Sequence, residues 1–189
     1  MTHTKYFRRI AEGLDVEPLL QLLDAKPELW KEIEARQKFS NSPHIDTETI
    51  FVRGPLKMNH YYVIWDTGSY DYPCMQYLKP ALVPLMQPIL KQLGVEDMGR
   101  VLIVNLKPSG HIIKHIDQGT YAERYQRFHL VLRSNPYCFQ TSGSDIQRFE
   151  VGETWYMNNK ELHEAHNVGN GTDRIHIIFD CVPTVELQY

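Results

Sequence analysis

Eight short runs of β-branched and aromatic residues follow one another between Val101 and Cys181, and they constrain the fold more than any other feature. They are Val101–Leu106, His111–His115, Phe128–Arg133, Tyr137–Thr141, Gln147–Val151, Thr154–Met157, Leu162–Val168 and Arg174–Cys181. Turn-forming sequence separates them, as at Pro108-Ser109-Gly110, Ser142-Gly143-Ser144 and Gly169-Asn170-Gly171. Val, Ile, Tyr and Phe suit a pleated surface, while Gly, Pro, Asn and Ser supply the backbone angles of turns. Strands this short and evenly spaced predict a mainly β fold, a cupin-like jelly roll or double-stranded β-helix. In such a fold alternate side chains of facing strands converge inside the barrel mouth.

Residues 1–98 read mostly as helices that brace one outer face of the sheet. Leu19, Leu20, Leu23, Leu29, Trp30 and Ile33 recur at three- and four-residue steps, Asp15 can cap a first helix, and Pro27 can open a second. Thr49–Arg53 and Tyr61–Trp65 are short strand candidates. Leu78–Leu93 has helical spacing and ends at Gly94, but Pro80, Pro84 and Pro88 predict a kink or two short helices. The expected organisation is one domain over 1–189, with a helical part to about residue 98 and a jelly-roll core over about 99–182.

A net charge of −3 without any Lys/Arg cluster argues against nucleic acid and anionic membrane as partners. Cys74, Cys138 and Cys181 are odd in number and form no CxxC, which suits a reducing compartment. Met1–Arg9 carries no apolar signal-like run and no stretch is apolar enough to span a bilayer, so a cytoplasmic location is expected.

His115 and Asp117 lie two apart at the end of a strand, where extended backbone puts both side chains on one side. His163 or His166, on a later strand, can add a third ligand, and spacing alone selects neither. The two differ by an odd number and face opposite sides of a strand, so only one reaches a metal inside the barrel. Two His and one carboxylate on one face leave positions open on Fe(II), as in non-haem iron oxygenases. Arg174 follows eleven positions after His163, and a guanidinium can grip a carboxylate through two parallel hydrogen bonds. Arg127 and His129 alternate with Phe128, Leu130 and Leu132, so both face one polar cavity. Arg174, His176 and Asp180 share a face of the last strand.

In order, Pro108-Ser109-Gly110, His115-Ile116-Asp117, Arg127-Phe128-His129-Leu130, Gly152-Glu153-Thr154-Trp155, His163 with Asn167, and Arg174-Ile175-His176-Ile177-Ile178-Phe179-Asp180 resemble the aspartyl/asparaginyl/prolyl β-hydroxylase group of Fe(II)- and 2-oxoglutarate-dependent dioxygenases. The resemblance covers about Val101 to Asp180. It implies a metal site of His115, Asp117 and His163, the last chosen because it stands eight residues after Trp155 and four before Asn167. Arg174 lies one position further on than the family pattern expects. A turn within Val168–Thr172 absorbs that residue more easily than a strand does, whereas counting back from Arg174 points to His166. By the same resemblance, Arg174 and His129 contact the carboxylate of 2-oxoglutarate, and Arg127 joins them at the co-substrate or faces the substrate. His176 and Asp180 are then supports.

The implied reaction consumes O2 and 2-oxoglutarate and hydroxylates an unactivated C–H bond of an amino acid, a peptide or a related small polar molecule. A Zn(II)-dependent hydrolase using the same ligands and a non-catalytic cupin-like binder of small acids are the alternatives. The Tyr-rich stretch Phe39–Tyr77 offers Asn41, His44, Arg53, Tyr61, Tyr62, Tyr70 and Tyr72 as candidates for a substrate lid.

Overall fold

In the computed structural model, which describes residues 4–169 and 171–187, every one of the eight expected runs contributes a strand. These are β4 (Val95–Leu106), β5 (His111–His115), β6 (Gln126–Arg133), β7 (Cys138–Ser142), β8 (Asp145–Gln147), β9 (Thr154–Met157), β10 (His163–Asn167) and β11 (Arg174–Pro183). Asn170, the middle of one expected turn, and the first residues of the Met1–Arg9 stretch lie outside the described residues. The stretch to residue 98 is less helical than expected, because it supplies β1 (Phe7–Ala11), β2 (Thr47–Gly54) and β3 (Tyr70–Asp71). Two antiparallel sheets result, one ordered β1-β9-β6-β11-β4-β2-β3 and the other β5-β10-β7-β8. The architecture is the expected mainly β jelly roll.

Two local expectations give way to specific contacts. Arg148–Val151 leaves the sheet after β8 because Phe149 turns into the barrel, 3% exposed, and stacks on Trp155 at 4.9 Å between ring centroids. Tyr61–Trp65 forms no strand. Asn59 accepts the Tyr62 N–H at 3.2 Å and caps helix α3 (His60–Ile64), so a cap overrides β-favouring residues.

Helices α1 (Glu17–Asp24), α2 (Ala35–Lys38), α4 (Met75–Leu93) and α5 (Gly119–Arg124) complete the fold, with a 3₁₀ turn at Pro27–Lys31. Leu78, Leu82, Leu85, Met86, Ile89 and Leu93 form one buried face of α4 and pack, with Leu19 and Leu23 of α1, on the outer face of the larger sheet. Contrary to the sequence expectation, α4 runs unbroken through Pro80, Pro84 and Pro88. Spaced four apart, the prolines share the opposite, exposed face. The carbonyls they leave unbonded therefore meet water, and burial of the apolar face outweighs a cost of about 3 kcal/mol per interior proline. Pro84→Ala should raise the thermal midpoint by several degrees; an unchanged or lower midpoint would show that the prolines carry no such cost.

Gly94 ends α4 at φ +57°, and a Cβ there would meet the Thr184 hydroxyl at 2.1 Å, so only glycine fits this cap. All three cysteines are free and buried. Among the described residues, no helix is long and apolar enough to cross a membrane.

Candidate active site

Strands β5 and β10 pair so that His163 stands directly across from His115, with ring centroids 4.2 Å apart. Asp117 leaves the end of β5 and is fixed by its own N–H, which donates to the Asn159 carbonyl at 3.1 Å. One ligand atom from each of His115, Asp117 and His163 falls within 4.8 Å of the others, close enough to share an ion. The tautomers suit that task. Nδ1 of His115 lies 2.7 Å from the Ile113 carbonyl and Nδ1 of His163 lies 2.9 Å from the Glu161 carbonyl. A carbonyl only accepts, so each proton sits on Nδ1 and each Nε2 presents a bare lone pair.

Asp117 Oδ2 accepts from Arg127 Nη1 and, at 2.9 Å, from Asn159 Nδ2, while Oδ1 faces His115 Nε2 at 3.5 Å. Burial pushes this carboxyl up, but Arg127, His115 and His163 together hold it well below the usual carboxylate range. Arg127 also donates Nε and Nη2 to Asp180 at 2.9 and 3.0 Å. Arg127, expected at the co-substrate or facing the substrate, thus directs all three guanidinium nitrogens to protein carboxylates. Its fork is taken by two carboxylates, and it positions Asp117.

Arg174 opens β11 with 1% of its surface exposed. Its Nη2 donates to Gln140 Oε1 at 2.5 Å and to His176 Nδ1 at 3.0 Å, and among the described residues no carboxylate pairs with it. Since a guanidinium cannot accept, His176 carries its proton on Nε2. That Nε2, together with His129 Nε2 and Gln140 Nε2, is buried without a partner. Burial lowers His129 first, followed by Arg174, Arg127 and His163, so this ring lies in the field of both the Arg174 pocket and the His115/Asp117/His163 face. A lone buried cation ringed by unpartnered polar groups fits an anionic ligand, as the far carboxylate of 2-oxoglutarate is.

His166 occupies the other face of β10. Its ring stacks on His111 at 4.0 Å and on Phe139 at 4.7 Å, and both His111 and His166 reach Glu164 Oε2, at 3.1 and 3.2 Å. These three also lie close enough to hold an ion, but away from Asp117.

A cavity of about 450 Å³ opens over His115, Asp117 and Arg127. Its roof comes from residues 36–44 and 55–65. Of the lid candidates, Asn41 and His44 line it. Arg53 instead pairs with Asp71 at 2.8 Å, Tyr61 and Tyr62 pack on each other, and Tyr72 donates to the Pro55 carbonyl at 2.6 Å. Sequence reasoning passed over Arg36, Arg100 and Gln140. Only Arg100 had a signal, as a charged residue at the start of an apolar strand; it donates to the Tyr62, Val63 and Asp66 carbonyls and ties α3 to the barrel.

Several buried histidines resist protonation. Burial takes His163 down to about 4, and it holds His44, His129 and His176 well below 6.5, with Arg36 next in effect at the first and Arg174 at the other two. The unfolded chain takes up these protons near 6.5. Between 6.5 and about 4 the unfolded state thus binds more protons, so stability must fall as pH falls through that window. Urea midpoints of the metal-free protein should drop steadily from pH 7.5 to 5; a flat profile would contradict the neutral assignments.

A family model described as aspartyl/asparaginyl beta-hydroxylase matches residues 30–183. An 82-residue segment is 32% identical to the L-proline cis-4-hydroxylase of Rhizobium meliloti (strain 1021), a match that covers 43% of this chain and spans only 29% of that relative's length. Among solved structures, a prolyl hydroxylase of Trichoplax adhaerens, in complex with a hypoxia inducible factor oxygen degradation domain peptide fragment, superposes with a TM-score of 0.57 at 12% identity, over 95% of this chain and 84% of that one. A prolyl-4-hydroxylase of Pseudomonas putida gives 0.52 at 15% identity, over 96% and 95%. At these identities the likeness to the solved structures is one of fold. The family match is broader and contains His115, Asp117, Arg127, His129, His163 and Arg174 in one stretch, and the chain belongs to the aspartyl/asparaginyl β-hydroxylase family.

Proposed function

We propose that this chain is an Fe(II)- and 2-oxoglutarate-dependent dioxygenase that hydroxylates an unactivated C–H bond of an amino acid, a peptide or a related small polar substrate. His115, Asp117 and His163 hold the metal, and Arg174 with His129 takes the far carboxylate of the keto acid. When bound, the metal would activate O2 and the keto acid would supply two electrons by its own oxidation to succinate and CO2, so that one oxygen atom of O2 can enter such a bond.

The protein's own contributions follow from its contacts. Nδ1 bonds to backbone carbonyls fix both imidazoles with Nε2 turned to the ion. Arg127 and Asn159 hold one oxygen of Asp117 and leave the other for the metal. The roof of residues 36–44 and 55–65 covers the cavity over the β core, so the N-terminal part and the core act as one catalytic unit.

The observation that carries this reading is Arg174, a fully buried cation that no carboxylate pairs with among the described residues. An uncompensated buried charge costs several kcal/mol, so its retention calls for an anionic ligand. Zn(II)-dependent hydrolysis gives that pocket no task. A non-catalytic acid binder gives none to the three prepared ligands.

The relatives are named for proline hydroxylation, which makes L-proline and prolyl peptides the first compounds to try. Aerobic incubation with Fe(II) and 2-oxoglutarate should yield succinate, with a yield that depends on iron and rises with an accepted substrate. No succinate above the protein-free control from a folded sample would sink the proposal.

A further inference from the structure

Three arginines, Arg36, Arg100 and Arg127, line the cavity above the proposed metal face, against one carboxylate, Asp117. Two of them are engaged within the protein. Arg127 is held by Asp117 and Asp180. Arg100 gives both terminal nitrogens to backbone carbonyls and lies 3.5 Å above the Tyr121 ring.

Arg36 differs. Its Nη2 meets His44 Nε2 at 3.1 Å, while its Nη1 is buried and has no partner; among the described residues no carboxylate pairs with it. Because the guanidinium can only donate, His44 Nε2 accepts and the His44 proton sits on Nδ1. That Nδ1 is likewise buried without a partner. Both residues line the cavity, and each keeps one buried donor that has no partner among the described residues, one of them on a cationic group. The loop that carries His44 is pinned to the β core, since the Pro43 carbonyl accepts the Ile113 N–H at 3.0 Å and Asp46 Oδ2 accepts the His111 N–H at 3.0 Å. The His44 ring also stands edge-on to the His115 ring, 5.1 Å between centroids.

We infer that Arg36 and His44 form the receptor for a carboxylate of the substrate, which makes the substrate a free amino acid or a similarly small organic acid. This rests on the dioxygenase reading and narrows it. A carboxylate has two oxygens to accept from these donors and pairs the charge that the protein leaves uncompensated, which favours it over a neutral amide at the same position. Contact between His44 and His115 sets the carboxylate close to the metal face, so the reactive carbon lies only a few bonds from it. A cavity of about 450 Å³ holds a molecule of that size.

The test is calorimetric titration of the anaerobic protein, with Fe(II) and 2-oxoglutarate present, by free L-amino acids and by their C-terminal amides. At least one free acid should bind about tenfold or more tightly than its amide, a gap of about 1.4 kcal/mol. In Arg36→Gln that ratio should collapse toward one, a change that general loss of structure does not mimic. Arg36→Lys, which keeps charge but loses the fork, should give an intermediate ratio. Equal binding of acid and amide, no binding of any acid, or a ratio that survives in Arg36→Gln would each overturn the assignment. The visible absorption of the iron and keto acid complex is read in the same samples. If the wild type lacks that absorption, the dioxygenase reading fails and this inference falls with it; if it is present, the calorimetry judges the carboxylate site alone.

Discussion

Alanine at His115, Asp117 or His163 is expected to abolish iron retention and turnover, whereas His166→Ala leaves both in place. Loss of a partner that merely orients a ligand costs about 10- to 100-fold in metal affinity, so loss of one of three protein ligands should exceed that. None of the changes removes a large core side chain. The packing of the larger sheet against α1 and α4 and the cluster of Phe7, Val131, Phe149, Trp155 and Met157 contain none of these residues, and in Asp117→Ala the freed Arg127 still holds Asp180. His166 is the control because it differs from His163 by an odd step along β10, stacks on His111 and Phe139, and turns away from Asp117. Iron content after desalting and succinate formation report the outcome. Iron lost only with His166→Ala would place the metal at the other cluster.

Arg174→Met should weaken 2-oxoglutarate binding by at least about a hundredfold, because two charge-assisted hydrogen bonds at about 1.5–3 kcal/mol each disappear. Arg174→Lys should lose about tenfold or more, since an ammonium keeps the charge without the fork. The same substitution to Met carries a second, opposite effect. Burial pushes the Arg174 guanidinium down to about 10, so at neutral pH it still bears its charge in an apolar setting. Removing the uncompensated buried charge relieves a desolvation cost, offset in part by the buried acceptors of Gln140 and His176 that lose their donor, so the ligand-free protein should not be destabilised. In the wild type, added 2-oxoglutarate should raise the thermal midpoint in proportion to ligand excess, and in Arg174→Met it should not. A variant that is destabilised and still stabilised by 2-oxoglutarate would show that Arg174 is structural.

The β core was legible because strands announce themselves locally. β-branched runs and Gly/Pro punctuation between Val101 and Cys181 need no tertiary information, and neither does the parity that groups His115 with Asp117 or Arg127 with His129. The residues the structure adds to the site were hidden because long-range contacts alone define them. Arg36 looks like any charge on a short polar helix until the fold brings it into the cavity roof, and Gln140 is marked only by the buried Arg174 it meets. Arg127 was legible as a cavity residue, but its partner was not, since Asp180 joins it through the β6–β11 register. Strand β1 escaped notice because its five residues show no alternation and only Phe7 is buried; its pairing with β9 creates the strand. The three prolines of α4 misled for a related reason, as their exposure, which makes them tolerable, depends on which face the sheet covers.

The central claim is that the β core presents an iron site and a keto-acid carboxylate site that act together, and anaerobic titration with Fe(II) and 2-oxoglutarate tests it most directly. The wild type should develop the weak visible charge-transfer band of an iron-bound keto acid, saturating near one equivalent of each. His163→Ala should not develop it, and Arg174→Met should reach it only at much higher 2-oxoglutarate. A folded wild-type protein that takes up iron yet shows no band at any 2-oxoglutarate concentration would contradict the account.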